Sequence, residues 1–166
     1  MGNYWQDTFA KELIRNSSVD VWDTAIREWD LIDVYWSTIG THCICSHPIH
    51  EVCVMKNRVN SNDVIVGNCC VEKFPQYEDD KDERRLAFQA LSNNKVNSSL
   101  IELSHKLGYI NDWERGFALD TLRKKKLTDR QSYYRNIIYR KMKQRMNNSN
   151  IRDLNFGELL NEQEKT

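Results

Sequence analysis

All five cysteines of this 166-residue chain stand between positions 43 and 70; two of its four histidines, His47 and His50, stand among them, and a third, His42, directly precedes them. The run reads His42-Cys43-Ile44-Cys45-Ser46-His47-Pro48-Ile49-His50-Glu51-Val52-Cys53, and Cys69-Cys70 follows at a distance. Thiolate and imidazole are the donors that a tetrahedral zinc site takes, at about 2.0–2.3 Å. An odd cysteine count leaves one thiol over in any disulfide framework, and clustered cysteines in a reducing compartment point to metal.

Cys43 and Cys45 fall in one tight turn and can supply two ligands. Cys70 follows the break at Gly67-Asn68, at a helix start where the positive end of the dipole favours thiolate over thiol. The remaining position is open among Cys53, His50, His47 and Cys69, with Cys53 preferred and His50 next. The spacing is not the usual one, because C-x-C is tighter than C-x2-C and nothing lies at C-x2-C spacing from Cys70. Such a zinc is expected to be structural. A catalytic zinc needs an open coordination position and a nearby base, and Glu51 and Glu72 are the only acids close in sequence. The H-x-E…P-C-x2-C signature of the base deaminases is absent, as are the P-loop, G-x-G-x-x-G and the nucleophile elbow. His42 beside Cys43 is read as structural, since adjacent residues on an extended backbone seldom point together.

The elements that must hold these ligands can be read from periodicity. Glu51–Lys56 is a β-branched stretch, Asn57–Asn62 is rich in turn formers, and Asp63–Val66 is a second strand, which together predict a hairpin. A short helix from Cys70 to Phe74 ends at Pro75. Knuckle, hairpin, then helix is a treble-clef-like order. Upstream, Trp22, Ala25, Ile26 and Trp29 predict a helix over residues 20–32 that Ser17 or Ser18 can cap, and Trp5, Phe9 and Leu13 predict an earlier one.

Downstream of an acidic linker, Gln76–Glu83, four helices are expected. Leu86, Ala90 and Leu91 mark the first, which ends near Asn93-Asn94. Leu100, Leu103 and Leu107 mark the second, closed by Gly108 as a left-handed cap. Asn111 with Glu114 opens the third and Thr128 with Gln131 the fourth, each a capping-box pair. Trp113, Phe117 and Leu122 are the apolar side of the third, and Tyr134, Ile137, Ile138 and Met142 that of the fourth. The expected fold is therefore mainly α, with a small zinc-stapled β-hairpin inserted between helices. The parts are N-terminal helices (1–41), the zinc-binding hairpin module (42–75), a C-terminal helical region (84–146) and a polar tail (147–166) with an amphipathic stretch near Leu154–Leu160.

The motif Cys43-Ile44-Cys45, the hairpin through Cys53-Val54 and Asn57, and Val66-Gly67-Asn68-Cys69-Cys70-Val71-Glu72-Lys73-Phe74 resemble small treble-clef-like zinc modules of phage, prophage and mobile-element proteins. Those commonly read C-x-C-G, a hairpin, then V-G-x-x-C-V-x-x-F. The stretch Leu127-Thr128-Asp129-Arg130-Gln131 before a basic helix is also similar to them. The resemblance implies a metal-bound fold and no particular reaction. It departs at Ser46, where glycine is usual.

The formal net charge is zero, but it is segregated. Ten Lys or Arg and one acid lie between Arg123 and Arg145, and five acids and one Lys between Glu78 and Glu83. A neutral total therefore does not exclude a polyanionic partner. Arg123, Lys124, Lys125, Lys126, Arg130, Arg135, Lys141 and Arg145 are candidate phosphate contacts, interleaved with Tyr133 and Tyr139 for stacking on bases. The expected function is that of a non-enzymatic, zinc-containing nucleic-acid-binding or regulatory protein. The alternative is an interaction protein whose basic helix meets an acidic surface of a host protein, such as a polymerase or defence nuclease, and inhibits it. No apolar run suits a membrane, and no secretory leader is seen. The expected location is the cytoplasm, that of the host if the protein is phage-encoded.

Overall fold

The computed structural model describes residues 4–147, with side chains from Asp7 onward. Seven helices and three strands follow one another: α1 (Tyr4–Asn16), α2 (Trp22–Ala25), β1 (Trp29–His42), β2 (Pro48–Asn57), β3 (Asp63–Gly67), α3 (Asn68–Val71), α4 (Lys81–Ser92), α5 (Ser98–Lys106), α6 (Asp112–Thr121) and α7 (Asp129–Met146). A single 3-10 turn, Pro75–Tyr77, lies between α3 and α4. The Leu154–Leu160 stretch lies outside the described residues, as does the tail after Asn147.

The strands form one antiparallel sheet in the order β1-β2-β3. The expected hairpin is β2-β3, with Cys53 opposite Val66 and Lys56 opposite Asp63. The third strand corrects the expectation of helix through residue 32. Chain from Trp29 to His42 is extended and pairs with β2, Val34 opposite Cys53 and Tyr35 opposite Val52. Helical spacing of Trp22, Ala25, Ile26 and Trp29 survives only as the single turn of α2. The run Val34-Tyr35-Trp36-Ser37-Thr38-Ile39 is β-branched and aromatic, so it fits a pleated, half-buried surface better than a helix. β2 offers it backbone partners over 29–36 and 41–42, and two irregularities, between Leu31 and Asp33 and between Trp36 and Thr41, adjust the register.

Ser17 and Ser18 do not cap α2, whose N-cap is Val21. Instead Ser18 N–H donates to Glu28 at 2.9 Å, and Asn57 Nδ2 donates to the same carboxylate at 2.7 Å. Glu28 thus ties the α1–α2 loop to the β2–β3 turn from a buried position. Burial alone would raise its pKa. The hydrogen bonds from Ser18 and Asn57 outweigh that and hold it below the usual carboxylate value.

One apolar cluster joins α1, the sheet, α3, α4 and α5, with Phe9, Leu13, Trp29, Met55, Phe74 and Phe88 fully buried within it. A second joins α5, α6 and α7 through Ile101, Ile110, Ala118, Ile138 and Met142. Local signals placed the later helices well. Gly108 has φ +77° and closes α5, Asn94 has φ +53° after α4, and both capping boxes form. Helix α4 begins at Lys81, inside the stretch read as a linker. Leu86, Trp113 and Ile137, expected on buried faces, are exposed.

Candidate metal centre

Residues 43–46 close a tight turn. Ser46 N–H donates to Cys43 O at 2.8 Å, and Cys43 N–H donates to His47 O at 2.9 Å. Ser46 takes φ +74°, the left-handed conformation that a glycine usually supplies in a zinc knuckle. Ile44 N–H donates to Ile65 O at 3.0 Å and fastens the turn to β3.

The third thiol arrives at the far end of β3. Gly67 ends that strand and is the N-cap of α3, which puts Cys70 in the first turn of the helix. A Cβ at Gly67 would stand 2.9 Å from Ile49 Cγ2, so the close approach of the β3 end to β2 requires glycine. Behind α3, Asn68 is buried and accepts from Arg84 Nε at 2.8 Å. Arg84 is itself buried in α4 and donates to Tyr77 O at 3.2 Å. This clamp sets the position of α3, and hence of Cys70, against the helical layer.

The Sγ atoms of Cys43, Cys45 and Cys70 all lie within 4.8 Å of one another, and all three residues are buried. Cys45 and Cys70 Sγ are 3.8 Å apart. Two thiolates on a tetrahedral zinc at about 2.3 Å are separated by about 3.8 Å, so this edge already has the required length. These three cysteines can therefore hold a metal ion.

The three sulfurs perturb one another strongly. The Cys43 thiol is pushed down to about 5 because Cys70 donates to it, and the backbone N–H groups of Cys45 and Gly67 also point at its sulfur against the opposing effect of burial. Cys70, as that donor and as a buried group, is pushed up, and Cys45 is raised by burial.

The structure does not bring Cys53 into this group. Cys53 sits in the middle of β2, fully buried between Val34 and Val66, and burial pushes its thiol up to about 12. A cavity of about 410 Å³ opens beside the three cysteines and is lined also by His47, His50 and Cys69. Cys69 is exposed. The His50 ring stacks on Trp36 at 5.4 Å, and its Nδ1 lies 2.6 Å from Ser37 O. That contact makes Nδ1 the protonated nitrogen of the neutral ring and leaves the lone pair on Nε2.

The basic residues divide into two sets. Lys141 Nζ meets the Glu114 carboxylate at 2.9 and 3.1 Å, Arg135 Nη1 donates to Thr121 O at 2.9 Å, and the Arg145 guanidinium lies 4.9 Å from the Tyr109 ring centre. These three fasten α7 to its neighbours. Tyr139 is half-buried, with a hydroxyl that has no partner among the described residues. Arg123, Lys124, Lys125 and Lys126, in the α6–α7 connection, are exposed, and so is Arg130. None of these five forms an ion pair among the described residues. Two carboxylates of the acidic stretch are engaged elsewhere: Glu83 pairs with Lys106 at 2.6 Å and Asp82 with Arg85 at 3.6 Å. Among the described residues, no helix is long and apolar enough to cross a membrane.

Sequence reasoning missed the aromatic group beside this basic loop, because Trp113, Phe117 and Tyr134 were read as core. Trp113 is 59% exposed. An aromatic that large at a capping-box start, three residues after Ile110 and four before Phe117, could have been read as the edge of a surface rather than its interior. The chain matches no family model, no curated protein and no solved structure with which it was compared.

Proposed function

We propose that the chain is a non-enzymatic nucleic-acid-binding or regulatory protein, of mobile-element type, whose sheet is fastened to its helices by a structural zinc ion. Three thiolates on a knuckle and a helix start, with a tetrahedral S···S edge, support zinc over the harder cations, which take oxygen donors. Cys43, Cys45 and Cys70 would hold it, and the fourth ligand would come from the cavity side, where His47, His50 and Cys69 stand. The knuckle–hairpin–helix order supports a treble-clef-like reading of residues 43–70. Bound zinc would link the β1–β2 turn to the start of α3.

The observation that carries nucleic-acid binding is the set Arg123, Lys124, Lys125, Lys126 and Arg130. These cations are exposed and form no ion pair among the described residues, while their neighbours Arg135, Lys141 and Arg145 are used in packing. Long cations that are left free on one short connection neutralise phosphates and release counterions. Fluorescence anisotropy with a labelled mixed-sequence oligonucleotide at rising salt tests this. The affinity should fall steeply with salt, and the double variant Lys124→Ala/Lys125→Ala should reduce the slope of log K against log[salt] by about 1.5–2. An absence of binding at low salt would overturn the reading and favour an acidic protein surface as the partner.

A further inference from the structure

Between α6 and the start of α7 lies a cleft of about 370 Å³, lined by Trp113, Phe117, Thr128, Arg130, Gln131 and Tyr134. Trp113 and Phe117 lie nearly parallel, with centroids 5.2 Å apart and planes 22° apart. Tyr134 stands edge-on to both, at 86° and 77°. Phe117 covers one side of the Trp113 indole, yet 59% of the residue remains exposed, so a broad apolar face is left in water. Tyr133 continues the aromatic surface, edge-on to Tyr134 at 5.5 Å and 62% exposed.

The polar side chains of the cleft are rich in donors. Thr128 Oγ1 accepts from Gln131 N–H, and Gln131 Oε1 accepts from Thr128 N–H. Each of these oxygens thus already accepts one bond, and the Thr128 hydroxyl proton and the Gln131 amide NH2 stay available as donors. Arg130 adds a guanidinium, 5.9 Å from the Tyr134 centroid. Among the described residues no carboxylate lines the cleft, and the four cations of residues 123–126 precede it along the connection. The matching ligand is flat, rich in acceptors and attached to negative charge.

We infer that this cleft takes an unpaired base of a single-stranded nucleic acid, stacked on Trp113, with its backbone phosphates on Arg123–Lys126 and Arg130. This rests on the nucleic-acid reading above and narrows it to single strands. Inside a duplex both faces of a base are covered by its neighbours, so only an unpaired or terminal base can offer a face to the indole. A peptide without acidic side chains would leave the surplus of donors and cations unmatched, and an acidic one would offer no flat face to the indole.

The test is binding of a labelled single-stranded oligonucleotide, of the same strand carrying abasic sites, and of its duplex. Each is measured with the wild type, Trp113→Ala and Lys124→Ala/Lys125→Ala. Thermal unfolding confirms that the variants fold, as exposed positions allow. Trp113→Ala should weaken single-strand binding by about 5- to 100-fold with little change in salt slope, and duplex binding by less than about twofold. Abasic sites should weaken the wild type and leave Trp113→Ala indifferent. If Trp113→Ala binds single strands like the wild type while the lysine variant is impaired, the base site is refuted and phosphate binding stands. If wild type binds none of the three at low salt, the nucleic-acid reading itself is refuted.

Discussion

Replacing Cys53 and Cys70 separately by serine divides the metal site from the core around it. Cys53→Ser puts a hydroxyl at a fully buried position in β2, between Val34 and Val66. An unpartnered hydroxyl there costs about 1–3 kcal/mol, which for a chain of this size lowers Tm by about 2–12 °C. Metal stoichiometry should be unchanged, because Cys53 stands outside the trio within 4.8 Å. Cys70→Ser removes one corner of that trio. Structural zinc sites contribute about 10–16 kcal/mol, so one ligand of four carries roughly 3–4 kcal/mol, a loss of about 100- to 1,000-fold in affinity. Native mass spectrometry gives the stoichiometry, and thermal unfolding with and without a chelator gives the stability. Wild type and Cys53→Ser should both lose stability on chelation, and Cys70→Ser should be almost insensitive to it. Loss of metal from Cys53→Ser, or full occupancy in Cys70→Ser under chelator competition, refutes the assignment.

Three other perturbations probe the frame around the site. Gly67→Ala forces a methyl group into Ile49 Cγ2 at 2.9 Å, so it should destabilise the protein by about 1–3 kcal/mol and weaken metal binding by displacing α3; a neutral result in chelator titration would count against the close approach. Ser46→Gly relieves the cost of φ +74° and should raise Tm by about 2–4 °C; a lower Tm would mean that the serine side chain contributes more than the backbone gains. Glu28→Gln should cost about 1–3 kcal/mol at pH 7 in denaturant unfolding. The folded pKa of Glu28 is lowered, so its contribution is complete above the unfolded carboxylate value and fades as pH falls through the folded value. The wild type's advantage should therefore shrink on acidification below about pH 4.5, and a difference that grew in acid would contradict the Ser18 and Asn57 hydrogen bonds as its source.

Several features are legible because they are local. A capping box needs only residues three apart, so Asn111 with Glu114 and Thr128 with Gln131 were readable, as was the left-handed stop at Gly108. The C-x-C turn was readable for the same reason. Strand β1 was not, because helical spacing of four residues from Trp22 to Trp29 competes with a β-rich run after it. What decides between them is pairing with β2, some twenty residues later. The two fates of the basic residues were equally hidden. Lys141 turns to Glu114 and Arg135 to Thr121 O because α6 packs beside α7, whereas Lys124 and Lys125 lie exposed in the connection between those two helices.

By itself, then, the sequence determined that Cys43, Cys45 and Cys70 stand on a turn and a helix start flanking a hairpin. Spacing along the chain and the conformational limits of Gly67 and the 43–46 turn suffice for that. Only the tertiary structure decided that Cys53 belongs to the core. β2 is the central strand, so its inward side chains are enclosed by β1 on one side and β3 on the other, and a thiol there is carried away from the knuckle. The same long-range packing left Trp113 at the surface, where a helical apolar stripe read one residue at a time would have buried it.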